Sequence, residues 1–157
     1  MTVEVDYRSF YEQSREPIRR ALALALGDMV LAEDAVDEAM TRALVRWDTI
    51  RQYDRPEGWV YRVGLNWARG TFRRRRFELL TQIEAEAAIS QAELPDVDLV
   101  AAVGRLSLPK RAVVVARYYL DWSTTEVAAA LDIPEGTVKS RLARALHQLG
   151  KELGEET

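Results

Sequence analysis

The sequence has no cysteine and a single histidine. Without cysteine, disulfides and thiolate metal sites are excluded, which fits a reducing cytoplasm. It also lacks any run of about eighteen apolar residues, so no segment is expected to span a membrane. The opening residues, MTVEVDYRSF, carry two acids and no apolar centre, unlike a secretory leader. There is no alternating strand pattern, no internal repeat, no glycine-rich phosphate loop, no metal-ligand cluster and no nucleophile–base arrangement. The lone His147 falls on the outer face of the last expected helix, among Arg144 and Gln148. The expectation is a non-enzymatic protein of cytoplasmic location, with no catalytic residue, no metal and no cofactor.

What is present is charge, sorted into blocks. The net charge of −3 argues against a general polyanion binder, but the distribution says more than the sum. Residues 59–76 contain six arginines and no acid. Residues 28–38 contain five acids and no base, and residues 81–104 repeat that acidic pattern. Blocks of opposite sign on one chain imply several partner surfaces.

Periodicity is helical throughout. Helices are expected over Tyr7–Leu26, stopped by Gly27; over Leu31–Trp47, with Val36, Met40, Ala43, Leu44 and Trp47 on one side; and over Pro56–Leu80. Residues 81–97 lose aromatic and basic character and read as an acidic linker. Two helices, Asp98–Leu106 and Pro109–Leu120, follow it. The fold class is all-α: two small helical domains, 1–80 and 98–157, joined by that linker.

On a helical projection Arg62, Asn66, Arg69, Arg73 and Arg76 form one stripe between two apolar flanks. A face built only for solvation would mix in acids, because alternating charge supports a helix. Arginines track phosphates, an asparagine among them can read a base, and Trp59 or Tyr61 can stack on unpaired bases.

Near the C-terminus, Ser123-Thr-Thr-Glu126 reads as a capping box. The helix it opens runs to Leu131, and a turn over Asp132–Gly136 follows, with Pro134 suited to the start of the next helix. There Val138, Leu142, Ala145 and Leu149 share one side, while Ser140, Ala143, Arg144 and His147 take the other, flanked by Thr137 and Lys139. This is a helix-turn-helix pattern, whose second helix can enter a major groove. The same features also fit a helical hairpin with a solvated basic face.

Taken in order, AEDAVDEAMTRALVRW (32–47), PEGWVYRVGLNWARGTFRRRR (56–76) and LSLPKRAVVVARYYLDWSTTEVAAALDIPEGTVKSRLARAL (106–146) resemble a bacterial sigma factor of the sigma-70 family, extracytoplasmic-function type. The resemblance covers nearly the whole chain. It implies that 1–80 is region two and 98–157 region four. It further implies that Asp34, Asp37 and Glu38 meet core RNA polymerase, with Trp47 helping to hold their helix. Arg62, Asn66, Arg69 and Arg73 would engage the minus-ten promoter element as the duplex opens. Thr137, Lys139, Ser140 and Arg144 would enter the groove at the minus-thirty-five element. Promoter DNA and core polymerase are the implied partners, with an anti-sigma factor as a further candidate. Gly70 stands where an acid is common in the family, and Ala143 where a larger side chain is frequent. Two readings from other classes are a stand-alone helix-turn-helix regulator and a helical protein-binding adaptor.

Overall fold

The computed structural model describes residues 3–79 and 97–154, and the elements among them are helices. The linker expected over 81–97 lies, apart from Val97, outside the described residues. Helix α1 (Val3–Leu26) starts four residues earlier than expected and buries Ile18, Ala21, Leu22 and Ala25, the i, i+3, i+4, i+7 stripe of an amphipathic helix. It stops at Gly27, whose φ of +70° lies in the left-handed region where a Cβ is penalised.

Asp28 then caps α2 (Met29–Val45), accepting from the Leu31 amide at 2.9 Å. The buried side of α2 is mostly alanine (Ala32, Ala35, Ala39, Ala43), which lets neighbouring helices approach closely. The expectation that α2 continues through Trp47 with Leu44 inward does not hold. The helix ends at Arg46, Leu44 is half exposed, and Trp47 begins a separate short helix α3 (Trp47–Ile50). The break turns Trp47 into an aromatic cluster, 5.5 Å from Tyr7 and 4.9 Å from Phe10 between ring centroids. Helix α4 (Pro56–Leu79) packs on α1 and α2, burying Val60, Tyr61, Leu65 and Ala68.

The second group of helices is α5 (Val97–Gly104), α6 (Leu108–Val114), α7 (Thr124–Leu131) and α8 (Glu135–Glu152). The single helix expected over Pro109–Leu120 is instead α6 followed by a π-helical turn over Val115–Tyr119. That wider turn leaves Tyr118 and Tyr119 on the surface. The capping box forms as expected: Glu126 N–H donates to Ser123 Oγ at 3.1 Å, and Ser123 N–H to Glu126 Oε1 at 2.8 Å. Pro134 is the N-cap of α8 rather than its first helical residue, and Asp132 supplies the turn with a left-handed φ of +57°. No helix among the described residues is long and apolar enough to cross a membrane.

The two groups pack together. Tyr61 is wholly buried between them, its hydroxyl donating to the Ala112 carbonyl at 2.9 Å and its ring edge-on to Trp122 at 5.7 Å. Burial pushes its phenol well above the ordinary range. Half-buried Arg111, its pKa lowered by desolvation, donates to the carbonyls of Ala25, Gly104 and Leu106 and so ties the C-terminal ends of α1 and α5 together.

Candidate nucleic-acid and polymerase interfaces

Helix α8 is held by one face and open on the other. Val138, Leu142, Ala145 and Leu149 are all buried, whereas Lys139, Ser140, Ala143, Arg144 and His147 are exposed and Thr137 is half-buried. Within the first turns Ser140 Oγ donates to the Thr137 carbonyl at 3.2 Å, and Lys139 Nζ lies 3.9 Å from Glu135 Oε2. Glu135 also accepts from the Thr125 hydroxyl at 3.1 Å, which fixes the turn between α7 and α8. The four residues expected to read DNA here, Thr137, Lys139, Ser140 and Arg144, therefore stand within the first three helical turns of α8. Arg144 makes no ion pair among the described residues, so its guanidinium can reach a phosphate or a guanine edge.

The stripe on α4 is brought together only in part. Asn66 and Arg69 are exposed and joined, Arg69 Nη2 donating to Asn66 Oδ1 at 2.9 Å. Arg62 is half-buried, and its Nε donates across to the Ala130 carbonyl of α7 at 3.1 Å. Arg73 lies on α4, but its side chain falls outside the described residues, as do those of Phe72 and Arg76. A cleft of about 230 Å³ runs between Arg62, Asn66 and Arg69 on one side and Arg141 of α8 on the other. Arg141 was not among the expected site residues. Its half-buried position points it at α4 rather than outward with Lys139 and Arg144, a placement that only the packing of the two groups determines.

The acidic face of α2 is exposed at Asp34 and Asp37, with Glu38 half-buried. Asp34 makes no ion pair among the described residues. Asp37 accepts from Arg15 of α1 at 2.8 and 3.1 Å, and Glu33 takes the same guanidinium at 2.8 Å. The Glu33 and Asp37 bonds hold that guanidinium charged, its pKa raised against the opposing effect of burial. Glu38 pairs with Arg42 one turn on, at 2.9 Å. Trp47 is 4% exposed and packs just beyond the C-terminal end of α2, against Tyr7 and Phe10 of α1. Sequence reasoning missed the apolar end of the face, where Leu44 and Val45 are exposed at 49% and 80%. Helical phase alone placed Leu44 inward, and nothing local announced the break at Arg46. No group of three or more His, Cys, Asp or Glu side chains among the described residues is placed to hold a metal ion.

Residues 96–149, which hold the helix-turn-helix, match the family described as Sigma-70, region 4. Over 94% of its length the chain is 34% identical to the ECF RNA polymerase sigma factor SigL of Mycobacterium tuberculosis, covering 90% of that protein. The chain belongs to the ECF RNA polymerase sigma factors. This sigma factor is also 32% identical to the RNA polymerase sigma-E factor of Streptomyces coelicolor, over 95% of its own length and 86% of that relative. The same two-domain helical fold appears in the sigma factor RpoE of Bartonella quintana, solved in complex with the anti-sigma factor NepR. There the TM-score is 0.82 with 22% identity, covering 97% of this sigma factor and 99% of that chain. Sigma factors are not enzymes, and this one directs transcription by specifying promoters.

Proposed function

We propose a division of labour within this sigma factor. Residues 1–80 act as region two, 81–97 as a connector and 98–157 as region four. Asp34, Asp37 and Glu38, with Trp47 helping to hold their helix and Leu44 and Val45 at one end, form the surface that docks on core RNA polymerase. Arg62, Asn66, Arg69 and Arg73 engage the minus-ten element, Asn66 being the one side chain of the stripe able both to donate to and to accept from a base edge. Thr137, Lys139, Ser140 and Arg144 enter the major groove at the minus-thirty-five element. The site of action is the cytoplasm, where core polymerase works, and an anti-sigma protein is a third partner in this scheme.

The observation that carries the reading is α8 itself. Its apolar face is fully packed, and its polar face, from Thr137 to Arg144, is presented beside a tight turn. The charge pattern suits a factor that shares its work. A few arginines give weak, salt-sensitive DNA binding, and polymerase supplies the remaining affinity.

The test is promoter binding measured with and without core polymerase, for the native chain and for Lys139→Ala with Arg144→Ala. The double variant is expected to keep polymerase binding and to lose about tenfold to a hundredfold in affinity for fragments carrying the minus-thirty-five element. Strong, sequence-selective binding by the chain alone would instead favour a stand-alone regulator.

A further inference from the structure

Of the three carboxylates assigned to the docking face, Asp37 is held from another helix. Asp34 makes no ion pair among the described residues, and Glu38 pairs with Arg42 on α2 itself. Asp37 instead meets Arg15 of α1, which donates to its Oδ1 from Nε at 3.1 Å and from Nη2 at 2.8 Å. Nη2 also reaches Glu33 Oε2 at 2.8 Å. Asp37 Oδ2 has no partner among the described residues. One carboxylate oxygen is thus fixed, and the other is left to accept from outside.

The cation lies beneath and the acids above. The Arg15 side chain is 20% exposed, against 50% for Glu33 and 54% for Asp37. Glu33 is steadied in turn by Arg19 Nε, 4.0 Å from its Oε1, and Arg19 donates to Glu16 at 3.1 Å. A line of alternating charge from α1 therefore ends on a half-free carboxylate of α2.

We propose that Arg15 is a positioning residue for polymerase docking, its guanidinium fixing the Asp37 carboxylate so that Oδ2 meets a cationic group of core polymerase. The inference rests on the reading of Asp34, Asp37 and Glu38 as the docking face.

Three features suit positioning rather than a merely structural bridge. Ion pairs this exposed contribute little to stability, and α1 and α2 are already joined through a core that includes Ile18, Leu22, Ala35 and Val36. Glu33 and Asp37 stand one turn apart and repel each other, and the shared guanidinium relieves that repulsion while both remain exposed. The planar fork sets the carboxylate's orientation before a partner arrives, which lowers the ordering cost of binding. Arg15 also offsets one negative charge of the face. Its removal should therefore speed the approach of a basic partner while loosening the contact that follows. Structural damage alone does not move the two rates in that way.

The test is surface plasmon resonance of the full chain on immobilised core polymerase, at about 50 and 150 mM salt. Arg15→Gln should raise the dissociation rate about fivefold and keep or raise the association rate at low salt. Its melting temperature should stay within about 3 °C of the native value. Arg15→Lys keeps the charge without the fork, so it should raise the dissociation rate to a similar extent with native association. In an Asp37→Ala background, Arg15→Gln should add nothing to dissociation. If Arg15→Gln fails to fold, Arg15→Lys carries the test. Native dissociation in Arg15→Lys overturns the positioning role, as does an Arg15 effect that persists without Asp37. Should Asp34→Ala and Asp37→Ala both bind polymerase like the native chain, the docking reading itself fails and takes this proposal with it.

Discussion

At the residue scale, each charged side chain is defined by what already holds it. Asp34 and Asp37 sit side by side on the acidic face, yet Asp37 shares Arg15 with Glu33 while Asp34 does not. Asp34→Lys is therefore the cleaner probe of docking. It is expected to weaken binding to core polymerase by about tenfold or more, through like-charge contact with a basic partner, with melting temperature unchanged. Asp37→Lys should weaken binding too, but it sets a lysine against Arg15 and should also lower stability. A calorimetric titration with core polymerase, run beside a thermal melt, separates the two effects. Unchanged affinity for both variants would place the docking face elsewhere. On α8, replacing Arg144 alone should lower the salt dependence of promoter binding by about one unit of log–log slope if its contact is to phosphate. If it reads a guanine, the loss should fall on one base position.

At the element scale, the parts of the fold that were legible are those set by local chemistry. The Ser123 capping box, the Gly27 stop and the Val138–Leu142–Ala145–Leu149 stripe all follow from hydrogen bonding and periodicity within a few residues. The departures came from longer range. Nothing local distinguishes Leu44 from Ala43 as the exposed residue, since the α2 break is made by packing Trp47 against Tyr7 and Phe10 from another helix. The π-helical turn after α6 depends on Val115 and Ala116 being drawn into the core, which a run of apolar residues does not announce. Of the candidate site, the exposed face of α8 was readable. The engagement of Arg62 was not, because its acceptor lies 68 residues away. Removal of the cap by Ser123→Ala should cost about 1 kcal/mol and lower the melting temperature by about 2–4 °C.

Glu126 gives the same element a pH dependence. The Ser123 amide, and then Arg55, hold its carboxyl below its ordinary value of 4.5. A carboxylate whose pKa is depressed in the folded state adds stability above its unfolded value and loses it as pH falls through the folded one. Glu16, held down chiefly by Arg19, and Glu152, held down chiefly by Arg105, act in the same direction. The denaturant midpoint should therefore be flat from pH 7 to about 5 and decline below about 4.5. A midpoint that rose on acidification would contradict these assignments.

At the scale of the whole molecule, the chain joins an acid-rich face, a cationic ridge and a helix-turn-helix on one small frame of helices. Under the proposed division of labour a net charge of −3 does not conflict with DNA contact, since the acids on α2 and the arginines on α4 would serve different partners. The packing of the halves adds a further consequence. Tyr61 and Trp122 are buried in the joint, so any separation of the halves would expose aromatic surface.

The most direct measurement is run-off transcription, with the purified chain added to bacterial core polymerase on fragments of its source genome. Discrete transcripts that depend on the chain, and that fade with Lys139→Ala plus Arg144→Ala, are the predicted result. Transcription indifferent to the chain, despite its binding to core polymerase, would contradict the account.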